Sequence, residues 1–179
     1  MNILAFAASS SKKSINKSLA AYAASLVDGA NVELLDINDY EMPLFSQDRE
    51  EELGQPALAQ AFYKKLGEAD AIVISFAEHN GSYTAAYKNL FDWTSRIDMK
   101  VYQNKQVILL ATSPGPGGAQ TVLNTAKTSA PYFGMDVKAS LSIPSFYDNF
   151  DLATNRVTNS DIEKALNDTM SSLQQTAKA

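Results

Sequence analysis

Short apolar runs alternate with longer amphipathic stretches along the chain. The apolar runs predict strands at residues 2–7, 31–37, 71–76, 107–111 and 137–143. The amphipathic stretches predict helices at residues 15–26, 56–68, 84–97 and 119–133, and a last helix after Ser160. A strand–helix alternation of this kind specifies βαβ units, which build a parallel sheet.

Two of the predicted helices carry start signals. Pro56 suits the first helical position, because the N–H that proline lacks has no helical partner there. Ser160 and Glu163 have the spacing of a capping box, which indicates a helix beginning after Ser160.

The composition of each predicted strand indicates its place in the sheet. The first, third and fourth are almost wholly apolar, as in strands covered on both faces. The second contains Glu33, and the fifth alternates Lys138, Ser140 and Ser142 with apolar residues, so these two are expected at the edges. The sequence therefore predicts a flavodoxin-like three-layer α/β fold of strand order 2-1-3-4-5, with helices on both faces. We expect residues 1–179 to form a single domain.

In such a sheet, ligands bind beyond the carboxyl ends of the strands, so the loops after strands one, three and four should meet. The first loop holds several hydroxyls together with Lys12 and Lys13, ahead of a helix N-terminus. Such a set suits a phosphate group, because free N–H groups and the helix dipole favour an anion. A solvated turn in which Ser14 is the N-cap is an equal alternative.

The second loop contains the pair Asn80-Gly81, which permits positive φ and a close backbone approach to a ligand. A plain strand-to-helix connection is the alternative. His79 is the one histidine of the chain, and no carboxylate or cysteine partner is evident for it. A surface position is therefore favoured over a catalytic one, and we assign no catalytic residue.

The third loop, residues 112–118, holds three glycines and two prolines. It suits either a rigid turn into the next helix or a wall over which a planar ring lies. Its likeness to a dinucleotide fingerprint is superficial, because Gln120 stands where that motif needs Gly or Ala.

Composition narrows the function classes. The net charge is −5 and no basic stripe is present, which argues against a nucleic-acid partner. The absence of cysteine excludes disulfides and cysteine metal ligands, and we predict no metal site. No apolar run approaches the roughly 18 residues of a membrane span, and no secretion signal is evident, so we expect a cytoplasmic protein without membrane contact.

At these loops the sequence resembles the NADPH-dependent FMN reductase family, which includes azoreductase-like and quinone reductase-like enzymes. That family opens with a strand followed by Gly-Ser-x-Arg-x-x-Ser-x-Asn, matched here at Ser9, Ser14 and Asn16. It also carries Pro-Glu-Tyr-Asn-Gly-Ser before Leu-Lys-Asn-x-x-Asp-Trp, and this chain has similar segments at 77–82 and 87–93. A serine-rich turn into a Gly-Gly pair is matched at 113–118.

The resemblance implies an FMN site built from the three loops. The residues implied to hold the phosphate are Ser9, Ser11, Ser14, Ile15 and Asn16. Those implied to line the isoalloxazine edge are Glu78, His79, Asn80, Gly81 and Ser82. Those implied to close the other side are Ser113, Pro114, Gly115, Gly117 and Gly118.

The implied activity is NAD(P)H oxidation, with hydride passing through FMN to a flavin, quinone or azo-type small-molecule acceptor. Either NADPH or NADH is the reductant. Backbone N–H groups of residues 80–82 would stabilise negative charge on the ring. A flavodoxin-type electron carrier and a fold relative that has lost flavin and acts as a binding protein are the alternatives.

Three residues depart from the family pattern. Ser11 replaces the usual arginine, which leaves phosphate charge to Lys12 or Lys13. His79 replaces a tyrosine, and Ala77 replaces a proline.

Two further features bear on assembly, because the family resemblance implies a homodimer or homotetramer. The aromatic, Asn/Asp-rich stretch 144–159 suits either a subunit contact or a crossover folded onto its own core. Tyr83, Tyr87 and Phe91 form one stripe of the helix predicted at about 84–97, which suits either the core or a helical contact between subunits.

Overall fold

The fold comes from a computed structural model that describes residues 1–173. The main sheet consists of β1 (Asn2–Ala8), β2 (Asn31–Leu35), β3 (Ala71–Phe76), β4 (Lys105–Thr112) and β5 (Met135–Ile143). The helices are α1 (Ile15–Ser25), α2 (Gln47–Leu53), α3 (Ala57–Glu68), α4 (Ala85–Ser95), α5 (Gln120–Ser129), α6 (Phe146–Asn149) and α7 (Ser160–Ser171). Two short strands, β6 (Phe150–Asp151) and β7 (Arg156–Val157), form an antiparallel hairpin, and 3₁₀ turns occupy Ile37–Tyr40 and Ala130–Phe133.

The five main strands are all parallel and lie in the order β2-β1-β3-β4-β5, which confirms the predicted flavodoxin-like topology. β3 is buried at every position, whereas four of the five residues of β2 are exposed. β5 is partly buried along most of its length. The polar residues of the second and fifth predicted strands therefore did mark the edges of the sheet.

Alternating side chains of the strands supply two cores, one on each face of the sheet. Phe6, Ile74 and Leu109 belong to the face covered by α3, α4 and α5. Ala5 and Val73 belong to the opposite face, which α1 and α7 cover. Because successive strand residues point to opposite faces, near-continuous apolar runs are what a doubly covered sheet requires.

The predicted aromatic stripe, which starts at Tyr83 just before α4, is part of the first core. Tyr87 and Phe91 are buried, and Tyr83 is half-buried against the same cluster. The Tyr87 and Tyr102 hydroxyls lie 2.6 Å apart. Burial raises the pKa of both phenols, so the pair stays protonated at physiological pH.

Two helix starts differ from the sequence prediction. Asn159, not Ser160, is the N-cap of α7: its side chain accepts from the backbone N–H groups of Asp161 and Ile162. The Ser160–Glu163 capping box is therefore wrong by one residue, because asparagine is as good a cap as serine and precedes it. Pro56 is the N-cap of α3 rather than its first helical residue.

Residues 144–159 form α6 and the β6–β7 hairpin. Phe146 and Phe150 are buried against the α1/α7 core, with their rings stacked 4.7 Å apart. The crossover interpretation is thus correct for these two aromatics, whereas Tyr147 is 60% exposed. Within residues 1–173, no helix combines the length and the apolar character needed to span a membrane.

Candidate functional site

The loops after β1, β3 and β4 are tied together by side-chain hydrogen bonds. Asn16 reaches from the start of α1 to Ser75 of β3 and Thr112 of β4. The Thr84 hydroxyl caps α4 and donates to the carbonyl of Ala8 at the end of β1, at 3.0 Å. The three loops therefore lie together at the carboxyl end of the sheet, as the strand order requires.

The loop after β1 ends in a capped helix. The Ser14 hydroxyl accepts from the Lys17 backbone N–H, so this serine is the N-cap of α1. Ser9 is buried and accepts from the Ser11 N–H at 3.2 Å. Ser11, Lys12 and Lys13 are exposed. A first helical turn has N–H groups without intrahelical partners, so the N–H groups of Ile15 and the buried Asn16 have no helical acceptor, and they follow the exposed Lys12 and Lys13 in the chain.

The Asn16 side chain has a structural task. Its Oδ1 accepts from Ser75 Oγ at 2.7 Å and from the Thr112 N–H at 3.2 Å, and its Nδ2 donates to the Thr112 carbonyl at 3.2 Å. All three residues are buried. The part of Asn16 available to a phosphate is thus its backbone N–H, and its amide fixes where that N–H lies.

The loop after β3 is a two-residue hairpin. His79 and Ser82 exchange backbone hydrogen bonds of 3.0 and 3.1 Å across Asn80 and Gly81. Both turn residues have positive φ, 52° and 76°, as a type I′ turn requires, which explains the Asn-Gly pair. The hairpin is exposed. Since the Ser82 N–H already binds His79, the N–H groups left for a ligand are those of Asn80 and Gly81.

Glu78 begins this loop and turns toward α5. Its Oε2 accepts from the backbone N–H of Val122 at 2.8 Å. The glutamate carboxylate therefore binds the N-terminus of α5. The family resemblance implied instead that Glu78 lines the isoalloxazine edge.

The glycines of the loop after β4 have different surroundings. A Cβ at Gly115 or Gly117 would meet nothing within 4 Å. Gly118 has φ +58°, and a Cβ there would overlap Ser142 Oγ and lie 3.1 Å from the backbone N of Pro144. The Ser142 hydroxyl also donates to the Gly118 carbonyl at 2.7 Å. Gly118 thus packs against the end of β5, while Gly115 and Gly117 face open space.

The segment after β5 supports this loop, which the sequence did not reveal. The Ser145 N–H donates to the Gly115 carbonyl at 2.9 Å, and the Phe146 N–H donates to the Ser113 carbonyl at 3.0 Å. Ser145 adopts φ +46° to make this contact. The aromatic composition of residues 144–150 was the one available signal, and it does not specify backbone pairing.

Residues after β2 also border the site. A cavity of about 330 Å³ lies between the first loop, the segment following β2 and the first turns of α4. Its lining includes Ser10, Tyr40, Met42 and Ala86. The Asn89 side chain holds the far wall through the Met42 carbonyl and the Phe45 N–H. Nothing in the sequence pattern indicated this wall.

An ion pair connects α1 to the same segment. Lys17 Nζ lies 2.6 Å from Asp36 Oδ2, and both side chains are about one-third exposed. The hydrogen bond from Lys17 holds the pKa of Asp36 below its ordinary value. Lys17 is thereby engaged, so Lys12 and Lys13 are the exposed cations of the loop.

Comparisons with known proteins agree with this geometry. A sequence profile described as NADPH-dependent FMN reductase matches residues 1–148. An uncharacterised protein of Mycoplasma pneumoniae is 28% identical over 147 residues, 79% of this chain and 86% of that protein. An NADPH:quinone oxidoreductase of Arabidopsis thaliana is 35% identical over 95 residues, 53% of this chain and 47% of that protein. This chain thus matches less than half the length of the plant protein.

Solved structures share the fold. FerB, a flavoenzyme NAD(P)H:(acceptor) oxidoreductase from Paracoccus denitrificans, superposes with a TM-score of 0.75 at 23% identity, over 95% of this chain and 93% of that chain. The profile match extends through β1 to β5 and all three loops. This chain belongs to the NADPH-dependent FMN reductase family.

Proposed function

We propose that this protein is an FMN-dependent NAD(P)H oxidoreductase that passes reducing equivalents to a quinone, flavin or azo-type acceptor. The observation that carries the proposal is that the capped start of α1, the exposed Asn80–Gly81 turn and the glycine loop converge at the carboxyl end of the sheet. Family membership supplies the cofactor and the reaction class.

The residues at the sheet edge fit FMN by the chemistry of their donors. Two backbone N–H groups at the start of α1, the serine hydroxyls and the exposed Lys12 and Lys13 suit the phosphate. The open surface over Gly115 and Gly117 suits a flat ring system. The N–H groups of Asn80 and Gly81, which the hairpin pairing leaves free, would stabilise negative charge on such a ring.

FMN supplies the hydride-carrier chemistry when bound. The chain's own contribution is to bind, orient and stabilise charge, and we assign no side chain as a general acid. Exposure of the hairpin leaves space for a nicotinamide and then an acceptor to approach in turn. His79 is an exposed member of the hairpin, which supports a contact role over a catalytic one.

The test is a titration of the purified protein with FMN, followed by steady-state NADPH and NADH oxidation with a quinone. We expect flavin fluorescence to change at micromolar FMN and turnover to need both FMN and quinone. FMN binding without turnover on a quinone, an azo compound or excess free flavin would support an electron carrier instead. Lack of binding would favour a relative that has lost flavin.

We propose also that residues 1–179 form one domain that assembles as a homodimer or homotetramer in the cytoplasm. One face of the main sheet is covered by both α1, near the start of the chain, and α7, the last described helix, which supports one domain. Membership of the family is what supports an oligomer. Light scattering during size-exclusion chromatography measures the assembly state.

A further inference from the structure

The start of α5 lacks a cap of its own. Its N-cap position is Ala119, in the left-handed region at φ 56°, and no side chain of that residue can bind the free N–H groups. The carboxylate of Glu78, which comes from the loop after β3, takes the N–H of Val122 in the first turn at 2.8 Å. A negative charge is favourable at a helix N-terminus, because the unpaired N–H groups and the helix dipole point there.

This hydrogen bond joins two segments of the candidate flavin site. Glu78 leads directly into the His79–Ser82 hairpin, and α5 leads directly back to the glycine loop 113–118. These are the two segments proposed to lie on either side of the ring. The hairpin also lies near α5 at Gly81, where an added Cβ would lie 3.9 Å from the Thr121 methyl group.

Apolar packing between the two segments is limited. All four hairpin residues are exposed, and so are Pro114, Pro116 and Gly117 of the glycine loop. Beyond the ends of the paired strands β3 and β4, the links from this loop to α5 are therefore polar: the Glu78–Val122 hydrogen bond, and the Tyr83 hydroxyl, which lies 3.5 Å from Ser129 Oγ. The carboxylate also occupies the N-terminus of α5, which leaves α1 as the helix start for the phosphate.

We propose that Glu78 is a positioning residue of the flavin site. It holds the ring-side hairpin against α5 and thereby sets the width of the space between the hairpin and the glycine loop. It acts through the hairpin backbone, with no proton transfer and no contact to the flavin. This inference rests on the proposed function.

The test compares FMN dissociation constants and thermal unfolding of apo-protein for Glu78→Gln and Glu78→Ala. Glutamine keeps a carbonyl oxygen that accepts from Val122, so its Kd should stay within about threefold of wild type. Alanine removes the acceptor, and its Kd should rise at least about tenfold. Asn159→Ala is the matched control. The Asn159 side chain also accepts from first-turn N–H groups, but those of α7, so this variant likewise removes a helix cap.

Both alanine variants should unfold at lower temperature, and only Glu78→Ala should lose FMN affinity. In apo-protein, hydrogen exchange of the His79 and Ser82 amides, which pair across the hairpin, should accelerate in Glu78→Ala and match wild type in Glu78→Gln. Equal Kd values for Glu78→Ala and Asn159→Ala would overturn the positioning role. A folded Glu78→Gln protein with the weak binding of the alanine variant would also overturn it, because charge and not position would then matter.

The wild-type titration separates this inference from the proposed function. A wild-type protein that does not bind FMN overturns the proposed function, and with it the flavin role of Glu78. Normal wild-type binding with an unaffected alanine variant overturns the positioning role alone.

Discussion

The two sides of the candidate FMN site differ in the groups that form them: mainly side chains on one side and mainly backbone on the other. On the phosphate side, residues 9–16, a buried asparagine amide fixes the start of α1 while the cations extend into solvent. On the ring side, the Asn80–Gly81 turn and the glycine loop present exposed backbone, with the Glu78 carboxylate between them. If FMN binds as proposed, we expect side-chain charge to contribute to phosphate affinity and backbone shape to determine ring binding.

This difference predicts what mutations cost. A change to a buried side-chain bond or a packed backbone position should cost stability first, because unpaired polar groups and overlaps in the core are expensive. A change to an exposed turn or cation should cost binding while the fold persists. Each side of the site contains positions of both kinds, so matched pairs can separate stability from affinity.

The largest expected effect is from Gly118→Ala on the ring side. The residue has φ +58°, and the added methyl would overlap Ser142 Oγ and press on the backbone of Pro144. The left-handed backbone conformation, which is unfavourable for alanine, and the overpacking together should destabilise the protein by about 4 kcal/mol. Chemical denaturation of the apo-protein measures the loss.

Gly117→Ala is the control for that variant. Gly117 precedes Gly118 in the chain, but it has open space where a Cβ would lie and no positive φ. The unfolding free energy should change by no more than about 0.5 kcal/mol, while FMN affinity falls. Equal destabilisation by the two substitutions would show that the loop is not divided into a packed and an open half.

The second effect is expected from Asn16→Ala on the phosphate side. The change leaves the Ser75 hydroxyl and both backbone groups of Thr112 without their buried partner. The expected loss of stability is about 3 kcal/mol, or a Tm lower by roughly 10 °C. Differential scanning calorimetry gives the value.

Ser10→Ala serves as the comparison, because Ser10 is exposed in the same loop. It should leave Tm within about 2 °C of wild type. If Asn16→Ala were equally mild, the three-way hydrogen bonding of this amide would not be what fixes the start of α1.

Much of the fold could be predicted from the sequence because burial leaves a clear pattern. The apolar runs of β1, β3 and β4 and the polar residues of β2 and β5 sufficed for the strand order. The Asn-Gly pair likewise anticipated positive φ, because few residues tolerate that conformation. Local chemistry and global topology agree at these positions.

The partners of the site side chains could not be predicted in the same way. Asn16 and Glu78 were placed among the ligand-binding residues, yet their side chains bind Thr112 and Val122, 96 and 44 residues away. Helix α2 was missed because none of its residues is buried, so it has no apolar period. Long-range polar contacts and wholly exposed helices leave little trace in a hydrophobic pattern.

Ser11→Arg should strengthen the phosphate side by a moderate amount. Ser11 contributes backbone atoms to the loop's hydrogen bonds, and its side chain is exposed, so arginine should not disturb the fold. A guanidinium binds phosphate through two charge-assisted hydrogen bonds, and we expect FMN affinity to rise about fivefold at low salt. Isothermal titration calorimetry against Ser10→Arg tests whether the gain is specific, and an equal gain at both positions would indicate general charge attraction only.

The smallest expected effect concerns the Lys17–Asp36 pair, which joins α1 to the segment after β2. Lys17→Met should cost less than about 1 kcal/mol at pH 7, because the pair is partly exposed. The folded pKa of Asp36 is lowered, so the pair stabilises the protein above the unfolded pKa of this carboxyl and loses that effect as pH falls through the folded value. The difference in Tm between wild type and variant should therefore be constant from pH 5 to pH 7 and shrink toward zero below about pH 4. Lys164→Met breaks a more exposed pair on α7, with Asp168, and should show a smaller difference at every pH; a Lys17→Met effect that grew on acidification would contradict the assignment.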